Sequence, residues 1–259
     1  MKKKIRKQVE IEETKLIEKK MENLKMQGEF LKLLKEEENC ITWQSFIHQV
    51  PKGVMGFALR AVSNSLNTPD NLKRWGVKKS ANCSLCKNKN TNLQHLLQWC
   101  PTSLKQGRFT WRHNSVLNYL VKIMKENNDE SEQIFADLPG HQINGGTVPA
   151  NVLVTVERPD IVIIETVTKK VTILELTVSF ETNIEAANIR KQVRYNDLKQ
   201  DLNKNGYITE IIPFEIGSRG HITKRNREAL KKILKQKKET TKKCIDNLAK
   251  INLLCEGME

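Results

Sequence analysis

The amino-acid sequence has no apolar run that approaches the roughly 20 residues needed to span a membrane. Its first residues, MKKKIRKQVEIEETK, return to charged side chains before the apolar core of a secretory signal peptide could form. Acidic residues are also comparatively few, since 30 Asp and Glu stand against 44 Lys and Arg. We therefore expect a soluble, intracellular protein.

The surplus of basic residues gives a formal net charge of +14 over 259 residues. A surplus of this size favours a polyanionic partner, nucleic acid first and an anionic membrane surface second. A basic surface with no such partner is the alternative. The length and the 38% hydrophobic content indicate one or two globular domains with a sizeable core.

Three of the six cysteines crowd around one histidine, with the spacing Cys83-x2-Cys86-x8-His95-x4-Cys100. A Cys-x-x-Cys turn presents two sulfurs to one metal, and the remaining His and Cys complete a tetrahedral Zn²⁺ site. Four protein ligands leave no coordination position for water, so the predicted role of this zinc is structural. The alternative is a set of reduced cysteines beside an unrelated histidine.

Basic and aromatic residues follow this segment in GRFTWRHNSVL. Arg108 and Arg112 are four residues apart on a predicted helix, and Phe109 and Trp111 lie between them. This mixture is typical of surfaces that contact a nucleic-acid backbone, and His113 is a further candidate for that contact. Alternatively, the aromatic residues and His113 belong to the packing and the arginines are simply solvated.

Two carboxylates flank the stretch ERPDIVIIETVTKKVTILELT, which predicts strands over 160–166 and 171–178. Alternate residues of a strand share one face, so Asp160 is on a face with Val162, and Glu175 with Ile173. If both faces belong to the same side of the sheet, the two carboxylates meet near the open end of this hairpin. Carboxylate oxygens are suitable ligands for Mg²⁺.

A Pro-Asp followed by Glu-x-Lys is the layout of a metal-dependent nuclease site, but here Thr177 takes the position of the lysine. A helix predicted from Asn183 toward Asn203 offers a substitute. Its apolar stripe has Lys191 at the centre, and a lysine there costs several kcal/mol unless acidic partners meet it. The stripe consists of Ile184, Ala187, Lys191, Tyr195, Leu198 and Leu202.

We therefore predict that Asp160 and Glu175 hold Mg²⁺ and that Lys191 orients a water molecule or stabilises developing charge. Arg194, close to Lys191 on the helix, could contact DNA phosphate or the site, and the adjacent Tyr195 is a further candidate for nucleic-acid binding. The alternative is a buried ion-pair group with no catalytic role.

The predicted elements begin with a helix and a strand, and a strand, a strand, a helix and a strand follow. This order indicates an α+β or α/β fold with a mixed sheet flanked by helices. We expect four regions. They are a charged helix or linker (1–40), a helical region with the zinc site (41–103), the sheet domain (104–235) and a basic C-terminal helix or tail (236–259).

Taken in order, these motifs resemble the C-terminal part of site-specific non-LTR retrotransposons, over roughly residues 40–235. That part holds a zinc knuckle and a restriction-like endonuclease of the PD-(D/E)xK superfamily. In the family the lysine lies on the helix in a Lys-x-x-Lys-Tyr pattern. Here Lys191 and Tyr195 match that pattern, and Arg194 replaces its second lysine.

The resemblance implies nicking of target DNA with Mg²⁺ or Mn²⁺, so that the freed 3′ end primes reverse transcription. No polymerase motif is present, so a polymerase-bearing partner and element RNA are expected besides the DNA. The basic run KKKIRK fits import into the nucleus. The alternative function is a catalytically inactive, zinc-containing nucleic-acid-binding remnant, and an inert basic module is a third reading.

Overall fold

A computed structural model describes residues 2–36, 47–89, 91–128, 131–235 and 238–257. The expected boundary between residues 40 and 41 lies outside these described residues. Within them, no helix combines the length and the apolar character that a membrane crossing requires.

The N-terminal charged segment forms two helices, α1 (Lys2–Glu22) and α2 (Glu29–Glu36), where the sequence predicted one. Gly28 lies in the turn between them, and a Cβ there would come within 2.4 Å of the carbonyl oxygen of Met21. The backbone can therefore close this turn only around glycine. Phe30 of α2 is buried, whereas the apolar residues of α1 are exposed.

The helical region that follows contains a 3₁₀ turn (Ile47–Gln49), α3 (Lys52–Val62), α4 (Pro69–Arg74), a π-helical turn (His95–Trp99) and α5 (Pro101–Lys105). Thr68 caps α4, since its side chain accepts a hydrogen bond from the backbone N–H of Asn71 at 3.1 Å. Pro69 at the first helical position adds a preset φ angle that favours the start of this helix.

A four-stranded mixed sheet follows α6 (Arg108–Glu126). Its strands lie in the order of the chain, and β1, β2 and β3 pair antiparallel while β3 and β4 pair parallel. This arrangement confirms the mixed sheet expected from the sequence. The strands are β1 (Glu132–Ala136), β2 (Ile161–Glu165), β3 (Lys170–Ser179) and β4 (Ile208–Gly217).

Helices cover both faces of the sheet. On one face, Ile161 and Leu174 pack against α6, α9 (Lys224–Leu234) and α10 (Lys238–Gly257). On the other face, Val162 and Ile173 pack against Tyr195 and α8 (Asn196–Lys204), and α7 (Ile184–Arg194) contacts β3 and β4. The predicted alternation of the two strands is therefore confirmed.

Two predicted helices are interrupted. The helix expected over 183–203 is divided at Tyr195, whose φ of −98° and ψ of 12° end α7. The helix expected over 104–127 is divided at Gly107, which adopts a φ of 74° that favours glycine. The C-terminal helix is also more than a basic tail, because Leu248 and Leu253 of α10 are buried in the helical layer.

Candidate functional site

Asp160 and Glu175 meet at the open end of the β2–β3 hairpin. Ile161 pairs with Leu174, so the next residues outward are these two acids. The Oε1 atom of Glu175 accepts a hydrogen bond from the backbone N–H of Asp160 at 2.9 Å. Asp160 Oδ2 in turn accepts from the backbone N–H of Leu176, also at 2.9 Å. Each carboxylate is thereby held by the backbone of the neighbouring strand.

Lys191 reaches both acids from α7. Its Nζ donates to Glu175 Oε2 at 2.5 Å and lies 3.8 Å from Asp160 Oδ2. The side chain of Glu175 is 1% exposed, whereas those of Asp160 and Lys191 are 15% and 19% exposed. The structure therefore brings together the three residues that the sequence proposed, with an opening to solvent on the aspartate side.

Burial and the negative charge of Asp160 raise the pKa of Glu175 to about 6, although Lys191 opposes this shift. Burial would also raise the pKa of Asp160, but hydrogen bonding and charge from His113, together with the charge of Lys191, lower it below its usual range. Burial, and the neighbouring Asp160 after it, therefore disfavour the ionised form of Glu175 in the folded protein. An additional cation would stabilise the ionised pair.

His113 of α6 belongs to this acid–lysine cluster, where sequence reasoning had expected a surface contact with nucleic acid. Its Nε2 lies 3.5 Å from Asp160 Oδ2, and its Nδ1 lies 3.1 Å from Asn114 Oδ1. Burial lowers the pKa of His113, but the hydrogen bond and charge of Asp160 outweigh this and raise it. Helical periodicity could have indicated this position. His113 precedes the buried Val116 and Leu117 by three and four residues, so it lies on the same side of the helix as they do.

A buried hydrogen-bond chain, which sequence reasoning missed, fixes the rotation of α7. Asn188, three residues before Lys191, donates from Nδ2 to Glu215 Oε1 of β4 at 2.8 Å. Asn226 and Arg225 donate to Glu215 Oε2 at 3.1 Å and 3.3 Å. Since Asn188 and Glu215 are both buried, this chain holds α7 against β4 with Lys191 directed at the acids.

Tyr195 and Arg194 differ in accessibility. Tyr195 is buried, and its hydroxyl donates to the carbonyl oxygen of Arg158 at 3.4 Å. Burial and the charge of Glu175 raise the pKa of the Tyr195 hydroxyl above its usual range. Arg194 is exposed and lies over the Tyr195 ring at 5.1 Å from its centroid. Of this predicted nucleic-acid-binding pair, only Arg194 is therefore placed to reach a ligand directly.

Arg108 and Arg112 do not share a surface as expected. Arg112 is 2% exposed and forms an ion pair with the buried Glu256 of α10, so its predicted position on an exposed basic face is wrong. The sequence could not show this, because the partner lies far along the chain. Arg108 is partly exposed, and its Nε donates to Gln106 Oε1 at 2.9 Å. Trp111 is also exposed.

The predicted zinc ligands converge. The ligand atoms of Cys83, Cys86, His95 and Cys100 all lie within 4.8 Å of one another. The closest pairs are Cys86 Sγ to His95 Nε2 at 3.3 Å and Cys83 Sγ to Cys100 Sγ at 4.0 Å. Tetrahedral zinc with bonds of about 2.0–2.3 Å separates its ligand atoms by about 3.5–3.8 Å, so the arrangement fits this metal.

The zinc-ligand region packs against the segment that leads from β3 into α7, the helix that carries Lys191. Gln98 lies between His95 and Cys100, and its Oε1 accepts from the backbone N–H of Phe180 at 3.0 Å. The same atom accepts from Asn183 Nδ2 at 3.2 Å, immediately before α7 begins. Leu93 and Leu97 pack with Phe180 in the same contact.

Residues 26–106 match the family model described as zinc-binding in reverse transcriptase. The chain carries a zinc-binding region of the reverse-transcriptase type. The matched residues include all four Cys/His ligands and indicate a retroelement-derived protein, which confirms this part of the resemblance. They end before Asp160, so the match does not extend to the acid–lysine cluster. No curated protein matches the chain.

Proposed function

We propose that this retroelement-derived chain is a metal-dependent DNA endonuclease with a restriction-like core. The observation that carries the proposal is the convergence of Asp160, Glu175 and Lys191, from two strands and one helix, at one partly open end of the sheet. Here two acids meet one lysine and one histidine, and burial together with the charge of Asp160 raises the pKa of Glu175.

Asp160 and Glu175 would hold Mg²⁺ or Mn²⁺. Two carboxylates from adjacent strands suit a hard cation that keeps several water ligands and completes its shell with phosphate oxygens. Among the described residues, groups of three or more potential ligand side chains occur only at the Cys/His cluster, so water and substrate would supply the remaining oxygens. When bound, the ion would polarise the phosphodiester and lower the pKa of a bound water.

The protein side chains would then orient the reacting groups and stabilise their charge. Lys191 has three N–H donors, of which one is used by Glu175, and another could hold the attacking water or a phosphate oxygen. His113 holds the Oδ2 side of Asp160 and so orients its carboxylate. The Asn188–Glu215 chain keeps Lys191 in place while the substrate binds.

Nucleic-acid binding would use the basic surface around this site. The net charge is +14, and Arg190, Arg194 and Arg108 are exposed or partly exposed near Lys191 and His113 in sequence. The zinc, held by Cys83, Cys86, His95 and Cys100, would stabilise the region that packs against the start of α7. A nuclear location, element RNA and a polymerase-bearing partner remain part of this proposal through the resemblance alone.

A zinc-containing nucleic-acid-binding remnant without cleavage is the second candidate. It is favoured by the family match, which covers the zinc region and not the acids. Lys191 and Glu175 would then be a structural pair, and the basic surface would account for the whole activity.

Nicking of supercoiled plasmid with Mg²⁺ or Mn²⁺ decides between the two functions. The wild type is compared with Asp160→Ala, Lys191→Ala and the control Lys232→Ala, which removes an exposed lysine from its pair with Glu210. We expect nicking by the wild type and the control, and none by the two site variants. DNA binding by all four proteins without any nicking would establish the remnant instead.

A further inference from the structure

The segment that leads into Asp160 has a pattern of exposure that the acid–lysine cluster does not explain. Residues 153–159 form neither a helix nor a strand in the described part of the chain. Val154 and Val156 are 85% and 93% exposed and Arg158 is also exposed, whereas residues 153, 155 and 157 are partly buried. This alternation indicates that the three exposed residues share one side of the segment, and they form one Val-Val-Arg strip that ends beside Asp160.

The strip is held in place at both ends. At its start, Val152 is buried, and its carbonyl oxygen accepts from Asn205 Nδ2 at 3.1 Å. At its end, the carbonyl oxygen of Arg158 accepts from the Tyr195 hydroxyl, and the Arg158 guanidinium pairs with Asp137. Because both ends are anchored, the two valines are presented to solvent by an ordered backbone.

Exposure of this kind has a free-energy consequence. Removing apolar side chains from water is favourable, so an occupant that covers both valines gains binding free energy. A single exposed valine in a turn, such as Val167 at 80%, needs no explanation. Two valines on one side of an anchored segment, directly before a cluster of acids, indicate a contact surface.

We propose that the Val-Val-Arg strip contacts the DNA strand beside the phosphodiester that is cut. Val154 and Val156 lie against unstacked bases, and Arg158 binds a backbone phosphate. This inference rests on the proposed nuclease function and adds the surface that receives the substrate.

The surrounding charge selects a nucleic acid rather than a protein strand as the occupant. Arg194 lies over one side of the Tyr195 ring, and the hydroxyl of that ring contacts the backbone of Arg158. Arg190 is exposed one turn earlier on α7. The Arg158 end of the strip therefore lies near cationic side chains and next to the acid–lysine cluster, so one DNA strand could contact all three.

The test compares Val154→Ser/Val156→Ser with Val167→Ser in the full-length chain. Val167 is an equally exposed valine at the opposite end of the β2–β3 hairpin, and none of the three contributes to the described hydrophobic core. Binding to a fluorescent single-stranded 20-mer of mixed sequence is measured by anisotropy, with Ca²⁺ replacing Mg²⁺ to prevent cleavage. We expect roughly tenfold weaker binding for the double variant, from loss of the apolar contacts, and unchanged binding for Val167→Ser.

A second readout reports base unstacking directly. A duplex with 2-aminopurine increases in fluorescence when that base leaves the stack, and we expect the increase with wild type and Val167→Ser but not with the double variant. Arg158→Gln should lower the slope of log K against log salt by about one, as for one lost phosphate contact.

Each outcome has a distinct meaning. If the wild type binds DNA and both valine variants bind equally well, the strip is not the contact and only this inference is overturned. If the wild type binds no DNA, the proposed function and the inference both fail. Self-association of the wild type that the double serine variant loses, with DNA binding unchanged, would overturn the inference in favour of strand pairing between copies.

Discussion

Two buried acid–base groups, one at the middle of β3 and one just after its end, differ in how completely their charges are matched. Glu181, just after β3, accepts from both the backbone N–H and the Nε of Arg219 at 2.7 Å. The Arg219 guanidinium lies between the rings of Phe30 and Phe180, 4.3 Å and 4.4 Å from their centroids. Glu181 therefore pairs with a single base, Arg219, and aromatic rings enclose the pair.

The acid–lysine cluster is arranged differently. Asp160 and Glu175 share one lysine, the Asp160 side is partly open to solvent, and the pKa of Glu175 is raised. A matched and enclosed pair fits a structural role, whereas an unmatched and accessible group fits a site that receives a cation or a substrate. The contrast shows that burial of charge alone does not identify function.

The largest expected effect is on stability at the matched pair. Arg219→Ala leaves the Glu181 carboxylate buried without its partner and should lower the free energy of unfolding by about 3–5 kcal/mol. Urea denaturation measures this, with Lys204→Ala as the control for an exposed pair whose loss should change stability much less. Equal losses in the two variants would show that the enclosed pair has no special role.

At the unmatched cluster we expect the large effect on activity instead. Lys191→Met keeps much of the side-chain volume but removes the charge, so nicking should fall by about 100- to 1000-fold, the usual loss for one transition-state donor. Circular dichroism and thermal melting should remain close to wild type. A variant that unfolds like Arg219→Ala would place Lys191 with the structural ion pairs.

Glu175→Gln should stabilise the metal-free protein. The folded pKa of about 6 exceeds the ordinary value of 4.5, so ionised Glu175 opposes folding, and wild-type stability should fall between pH 4.5 and 6 relative to the variant. Above pH 6 the difference should reach about 1–2 kcal/mol in favour of the variant. Thermal melting against pH measures it, and Mg²⁺ at pH 7 should stabilise only the wild type.

The smallest effect is expected at the hydrogen-bond chain under α7. Asn188→Ala removes the donor to Glu215 and should lower nicking by about five- to tenfold, in line with roughly 1 kcal/mol for one buried hydrogen bond. Gln192→Ala is the control, since Gln192 is exposed and reaches the chain only through Asn188. Identical rates for both variants would mean that packing alone orients Lys191.

Much of the fold and part of the site could be predicted from local patterns. The Cys/His spacing identified the four converging ligands, because a Cys-x-x-Cys turn brings two sulfurs together wherever it occurs. Strand alternation placed Asp160 and Glu175 on one side of the hairpin, and the helical period placed Lys191 over them. Each of these predictions depends on residues within one element or on elements that are neighbours along the chain.

Only the tertiary structure decided which long-range partner each inward-facing polar residue meets. Arg112 pairs with Glu256 across 144 positions of the chain, and Gln98 reaches Phe180 across 82. His113 joined the acids rather than a surface for the same reason. Periodicity tells which side of a helix faces inward, but the partner found there depends on how the elements pack.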